Sequence, residues 1–240
     1  IKEVMENKKI HVHLNSEIVN VEGYVGNFKT TLNHNGERRE IEHGVVIVAT
    51  GAIEYKPTEY LYGVDESVIT QHELEERLAN GKLGAKTVAM IQCVGSRNEE
   101  RPNCSRICCA QAVKNALKIK ELSPETDVYV LYKDIRTYAF KEDQYREAAS
   151  KGVLFIRYDD ENKPMVTQEN GKLQVLFWEP VVKTWIPVEP DLLVLSAATI
   201  PNPDNERIAK MLKVPLTKDG FFLEAHMKLR PVDFATEGIF

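Results

Sequence analysis

The stretch Thr87-Val-Ala-Met-Ile-Gln-Cys-Val-Gly-Ser-Arg97, followed by Cys104-Ser-Arg-Ile-Cys-Cys109, decides how the rest of this chain is read. It opens as an apolar run and gives way to Ala110–Leu122, a segment of helical period. All four cysteines of the 240-residue chain fall inside it, spaced C-x10-C-x3-C-C. Thiols gathered where a strand turns into a helix predict a metal or redox site on an α/β fold. Cys104 and Cys108 are four apart and share a helix face if the helix begins that early, whereas Cys109 lies off that face.

Downstream, Asp127–Tyr132 is a second β-run, Asp143–Ser150 a helix closed by Gly152, and residues 153–156 a third β-run. Residues 164–167, 173–178 and 181–187 read as a β-meander, and 191–197 as a strand buried on both faces. This βαβαβ order with a meander insert predicts a doubly wound parallel sheet, Rossmann-like, with ligands at the carboxyl ends of its strands. Cys93 ends the first such strand. A helix over 206–212 and a short strand over 220–223 follow.

Upstream, residues 10–14, 17–25 and 27–32 alternate and are β-rich, and Asn33-His-Asn-Gly36 is a hairpin signal leading to a returning strand over 38–41. Val45-Val-Ile-Val-Ala-Thr-Gly51 is a continuous apolar run, read as another strand buried on both faces. Residues 52–68 form a crossing loop. Thr70 caps a helix over 71–79, with Glu73 completing a capping box.

A hydrophobic fraction of 43% and a charged fraction of 28% are those of an ordinary globular chain, and the net charge of −5 disfavours a nucleic-acid role. No apolar run approaches the roughly 20 residues of a membrane span. Four clustered cysteines are too few for a disulfide scaffold and point to a reducing, cytoplasmic setting. The lack of an initiator Met and the ending Gly238-Ile-Phe240 lead us to expect a piece of a longer polypeptide.

Four clustered thiols suit an iron–sulfur cluster, which takes soft thiolate ligands. Arg97, Arg101 and Arg106, with the helix N-terminus, supply positive potential beside an anionic centre. Two alternatives stay open. Zinc prefers pairs spaced C-x2-4-C, which an adjacent Cys-Cys departs from. A thiol–disulfide site lacks C-x-x-C here, and neighbouring cysteines seldom satisfy disulfide geometry. The six histidines are scattered, and no Walker loop, G-x-S-x-G, H-E-x-x-H or EF-hand loop occurs.

Several segments together resemble the A subunit of heterodisulfide reductase and its relatives, among them flavin subunits of quinone-interacting oxidoreductases. They are Ile91-Gln-Cys-Val-Gly-Ser-Arg97, Cys104–Cys109, Val68-Ile-Thr-Gln71, Asp134-Ile-Arg136 and Lys228-Leu-Arg-Pro-Val-Asp233. Val45–Gly51 and Thr236–Phe240 resemble flavin motifs of two-dinucleotide-domain flavoproteins such as thioredoxin reductase. The resemblance implies a flavin-domain segment over 1–65, an NAD(P)-binding-like domain with the cysteine block over 66–200, and a truncated return to the flavin domain over 201–240. It implies an oxidoreductase component that moves electrons between FAD, a [4Fe–4S] cluster held by Cys93, Cys104, Cys108 and Cys109, and partner redox subunits.

In that scheme Ala49, Thr50 and Gly51 let the flavin lie against the backbone, and Arg230 and Asp233 line its cavity. Three features depart from the family, the first being that the motif at Thr236–Phe240 lacks its closing Gly-Asp. No G-x-G-x-x-G occurs anywhere in the chain, so the first flavin motif is absent. The turn after Thr87–Gln92 has a single Gly, too few for the pyrophosphate fingerprint, so NAD(P) is not expected there. The isolated piece is expected to lack activity, and either cofactor can be missing from it. The rival readings are a non-catalytic docking module and a pyridine nucleotide–disulfide oxidoreductase using Cys108 and Cys109.

Overall fold

An apolar strand stays buried only where neighbours cover both its faces, and that requirement sorts the elements of this chain. A computed structural model describes all residues, Ile1–Phe240. Its first unit comprises Ile1–Ala52 and Pro201–Phe240, and its second Ile53–Ile200. The chain opens with α1 (Lys2–Glu6) and the strands β1 (Ser16–Glu22), β2 (Phe28–His34) and β3 (Glu37–His43), then leaves the first unit at β4 (Ala52–Glu54). The second unit runs β5 (Val68–Thr70), α2 (Gln71–Ala79), β6 (Thr87–Val94), α3 (Cys108–Leu122), β7 (Asp127–Tyr132), α4 (Lys141–Ser150) and β8 (Leu154–Arg157). It continues through β9 (Met165–Glu169), β10 (Lys172–Glu179), β11 (Thr184–Val188) and β12 (Leu192–Ala197). The return passes β13 (Thr199–Pro201) to α5 (Asn205–Leu212).

Five strands of the second unit form a parallel sheet in the order β5-β12-β6-β7-β8. From β6 the chain winds outward through α3, β7, α4 and β8, and β12 returns on the other side of β6. The winding direction therefore reverses at β6, and the crevice at its carboxyl end is where ligands bind in such sheets. One face carries Val88, Met90, Val130 and Val194 against Leu74 of α2 and Ala112, Val113, Ala116 and Ile119 of α3. The opposite face carries Ala89, Ile91, Leu193 and Leu195 against Leu173, Val175 and Phe177 of the antiparallel meander β9–β11. Both faces are covered, which is why β6 and β12 read as unbroken apolar runs. The expected mixed α/β class, with a parallel sheet and antiparallel meanders, is what forms.

Thr70 caps α2 as its sequence predicts. Glu73 N–H donates to the Thr70 hydroxyl at 3.3 Å, and Thr70 N–H donates back to Glu73 Oε2 at 2.7 Å. The hydroxyl also donates to Glu54 Oε2 at 3.0 Å. Thr70→Ala removes both roles at a fully buried position and is expected to lower stability by about 1–2 kcal/mol. Urea unfolding measures this, and an unchanged midpoint would show that the cap contributes nothing.

In the first unit β1–β3 form an antiparallel sheet, and Phe28, Leu212, Val214, Phe234 and Ile239 make its core. Here three expectations fail. Residues 10–14 form no strand, because their alternation has no partner to pair with. Val45–Gly51 is not a strand buried on both faces. Val46 and Val48 donate to the carbonyls of Gly238 and Phe240 at 2.8 and 2.7 Å, along one edge only, and Ile47 stays 75% exposed. Residues 220–223 supply a single bridge, Leu216 to Phe222, rather than a strand. In the second unit β5 escapes a pattern reading because three residues are too few to show periodicity. There α3 begins two residues before the expected Ala110, and α4 two before Asp143.

Candidate metal centre

β6 ends in a sharp reversal. Cys93 has φ +63°, Gly95 +71°, and Arg97 +57°, with Arg106 at +64° further on. Left-handed backbone at three non-glycine residues in one loop is the kind of local strain that collects at functional sites. The loop is held by several bonds. Ala198 N–H donates to Val94 O at 2.8 Å, Thr199 N–H to Ser105 Oγ at 2.9 Å, and Lys133 Nζ to Arg97 O at 3.2 Å. Arg101 braces it from outside, with its guanidinium 4.3 Å from the centre of the Tyr55 ring and Nη1 donating to Gly95 O at 3.0 Å. Arg101 is therefore a structural brace, not part of the charge around the thiols.

The early start of α3 puts Cys108 and Cys109 in its first turn, both buried, while Cys104 stays in the preceding loop. Cys104 and Cys108 thus do not share a helix face. All four thiols are free. Burial pushes Cys93 up, and it pushes Cys109 up as well. Cys108 is raised to about 12, by burial first and by the neighbouring Cys109 second. Charge on Cys93 or Cys104 would raise Cys108 and Cys109 further, so the four sulfurs occupy one electrostatic neighbourhood. Raised, buried thiols are poor nucleophiles, which weighs against thiol–disulfide chemistry.

Cationic groups surround this neighbourhood. Arg97 Nη1 stands 4.0 Å from Cys93 Sγ, and its Nη2 donates to Asp134 Oδ2 at 2.7 Å. Arg136 lies against Cys104 and donates to the same Asp134 oxygen at 3.4 Å. Arg106 N–H donates to Cys104 Sγ at 3.3 Å, and Cys109 Sγ donates to Asp134 O at 3.6 Å. The Arg97 hydrogen bond holds the Asp134 carboxyl below its usual range. Cys104, Arg106, Arg136 and Tyr138 line an open cleft of about 620 Å³. Sequence spacing alone does not mark Asp134 and Arg136 as site residues. They directly follow β7, and the rule that ligands gather at carboxyl ends of parallel strands points to them.

No three His, Cys, Asp or Glu side chains are drawn to the spacing that holds a single metal ion. A cubane cluster takes four thiolates, one on each iron, and the four cysteines supply that number of soft donors. Four soft donors with arginines to offset the negative charge are what such a cluster requires.

The flavin-contact residues lie in the first unit. Thr50 Oγ1 donates to Asn205 Oδ1 at 3.2 Å, and Thr50 O accepts from Asn202 Nδ2 at 3.2 Å. Ala49 and Thr50 border an apolar cleft of about 500 Å³ with Ile47, Ile41 and Met211. Gly51 has φ +68° and open space where a Cβ would stand. Arg230 and Asp233 do not border this cleft, and they pair with each other at 2.8 Å.

No protein-family model matches the chain. Among curated proteins it is 40% identical over 226 residues to the iron-sulfur A subunit of the CoB–CoM heterodisulfide reductase from Methanocaldococcus jannaschii, a match that spans 85% of this chain and 34% of the relative. The chain is a homologue of the A subunit of heterodisulfide reductase. The second such A subunit of Methanopyrus kandleri is 38% identical over 227 residues, covering 84% of this chain and 33% of the relative. The chain thus spans about a third of the length of the curated heterodisulfide reductase subunits it matches. Solved structures similar to it include an NAD-dependent persulfide reductase from A. fulgidus, with TM-score 0.49 and 16% identity over 97% of this chain and 38% of that one. Thioredoxin reductase from T. acidophilum gives TM-score 0.47 and 13% identity over 94% of this chain and 64% of that one. The family resemblance read from the cysteine block is borne out by the curated relatives. No helix is long and apolar enough to cross a membrane.

Proposed function

We propose that the chain is the part of a cytoplasmic FAD- and iron–sulfur-dependent oxidoreductase that holds a [4Fe–4S] centre and passes electrons between flavin, that centre and partner redox subunits. The supporting observation is the gathering of all four thiols near the carboxyl end of β6, where the sheet reverses its winding, with the Arg97 and Arg136 guanidinium groups beside Cys93 and Cys104 and the Arg106 main-chain N–H on Cys104 Sγ. Cys93, Cys104, Cys108 and Cys109 would be its ligands.

When bound, the cluster supplies one-electron steps and the flavin two-electron ones. The work of the chain itself is structural and electrostatic. The strained turn after β6 aims Cys93 at the crevice, and the first turn of α3 presents Cys108 and Cys109. Asp134 holds Arg97 and Arg136 in place between them, so that positive charge faces the thiolates. For the flavin, the open backbone at Gly51 and the apolar cleft beside Ala49 and Thr50 support close approach. Arg230 and Asp233 already satisfy each other, which makes them the weaker part of that assignment.

The test is anaerobic reconstitution with iron and sulfide, followed by iron and acid-labile sulfide analysis and EPR of the reduced protein. The expected result is about four irons per chain with a cluster signal. Fewer than about one iron per chain would overturn the cluster assignment.

A further inference from the structure

Gln92 is the last residue of β6 before Cys93, and its side chain is fully buried. Both of its amide atoms, Oε1 and Nε2, lack a hydrogen-bond partner, and they are the only buried side-chain nitrogen or oxygen atoms in the chain in that condition. Its main-chain oxygen, by contrast, accepts from Tyr158 Oη at 2.6 Å, so the backbone at this point is fixed. The neighbouring buried amides are paired. Gln71 Nε2 donates to Ser196 Oγ at 3.2 Å, and Asn115 Nδ2 donates to Gln71 Oε1 at 2.8 Å. A buried amide without a partner is destabilising, and a Leu or Met would avoid the penalty, so this orphan calls for an explanation.

Its position supplies one. Side chains alternate along a strand, so Gln92 lies on the face of Val88 and Met90, one step nearer the carboxyl end. That face packs against α3. Running back along α3, Ile119, Ala116, Val113 and Ala112 cover it in turn. The next turn toward the helix start is the one that bears Cys108 and Cys109, both buried. We infer that Gln92 tunes the metal centre: its Nε2–H donates to a sulfur of the four-thiolate cluster, and the cluster is the partner that Nε2 otherwise lacks. The inference rests on the cluster reading of the cysteines. A donor to cluster sulfur stabilises the reduced, more negative state and so raises the reduction potential.

The experiment compares the wild-type chain with Gln92→Met and Gln92→Leu, each with iron removed by chelation and after anaerobic reconstitution. Iron-free Gln92→Met is expected to melt no lower than iron-free wild type, because the orphaned amide is gone. Reconstituted Gln92→Met is expected to show an altered EPR signature. Its one-electron reduction equilibrium should be about tenfold less favourable, which corresponds to about 59 mV. Gln92→Leu, which likewise carries no donor, is expected to shift the potential in the same direction and shows that the shift does not depend on the Met sulfur. Loaded variants that match the wild-type potential and spectrum overturn the inference while leaving the cluster reading intact. So does an iron-free Met variant that melts clearly below wild type, since the amide would then be paired within the protein. Wild type that takes up no iron removes the cluster reading, and the inference falls with it, a failure visible without any variant.

Discussion

Cys108→Ser abolishes stable cluster retention: after anaerobic reconstitution, iron per chain is expected to fall to less than half the wild-type value. A serine oxygen is a hard donor that stays protonated at neutral pH, whereas the cluster irons require soft thiolates. Cys108 is also the thiol that the fold raises most, to about 12 through burial and through Cys109. On the proposed cluster reading, iron would have to displace its proton, and metal uptake would be coupled to proton release at this residue. Iron and sulfide analysis provides the measurement, with release to a chelator as a second readout. The iron-free variant is expected to lose about 1–3 kcal/mol against iron-free wild type, because a hydroxyl replaces a thiol at a buried position, so iron content is compared on the folded fraction. Full iron content in Cys108→Ser would remove this cysteine from the ligand set.

Gly95→Ala is expected to cost about 2–5 kcal/mol of stability, through two separable effects. Gly95 has φ +71°, a region that costs an L-residue roughly 1–2 kcal/mol. An added Cβ would also stand 2.3 Å from Cδ1 of Tyr55. That ring cannot easily retreat, because the Arg101 guanidinium lies over it and its hydroxyl donates to Glu59 at 3.4 Å. Urea denaturation of Gly95→Ala, Tyr55→Ala and the double variant separates the two effects. The double variant should recover about 1 kcal/mol or more of the steric part and leave the backbone part in place. Strictly additive effects would mean that the ring moves aside freely.

The second unit is legible in the sequence because its central strands are buried on both faces and α2 opens on a capping box. Runs such as residues 87–92 and 191–197 admit one reading once a helix is seen to follow each βα turn. The cysteine block is legible for another reason, since four thiols crowded into one turn are chemically conspicuous wherever the chain goes. The first unit is harder. Val45–Gly51 has the composition of a central strand, but burial depends on what pairs with its edges, and pairing is a property of distant chain. Ile47 stands exposed for that reason. Asp134 and Arg136 cannot be tied to Cys93 by spacing, because about 40 residues separate them and only the sheet order brings their strand ends side by side. Gln92 is invisible as a candidate in the sequence, since a lone glutamine in an apolar run reads as noise until its partners are counted.

The position of β6 in the sheet has a further consequence. Its amides are bonded on both edges, to β12 and β7. In hydrogen exchange such a strand opens only with the whole unit, whereas a loop held by a few bonds opens alone. Protection should therefore drop between Ile91 and Cys104, whose loop has as its own main-chain bonds Ser96 N–H to Cys93 O at 3.2 Å, Arg97 N–H to Asn103 O at 3.3 Å and Asn98 N–H to Arg101 O at 3.2 Å, beside the bonds that brace it from outside. Cys93 is expected to exchange with the sheet and Cys104 with its loop. On the proposed cluster reading, local fluctuation of the loop would free Cys104 while the other three thiols hold their places, so that iron could enter or leave without unfolding the sheet.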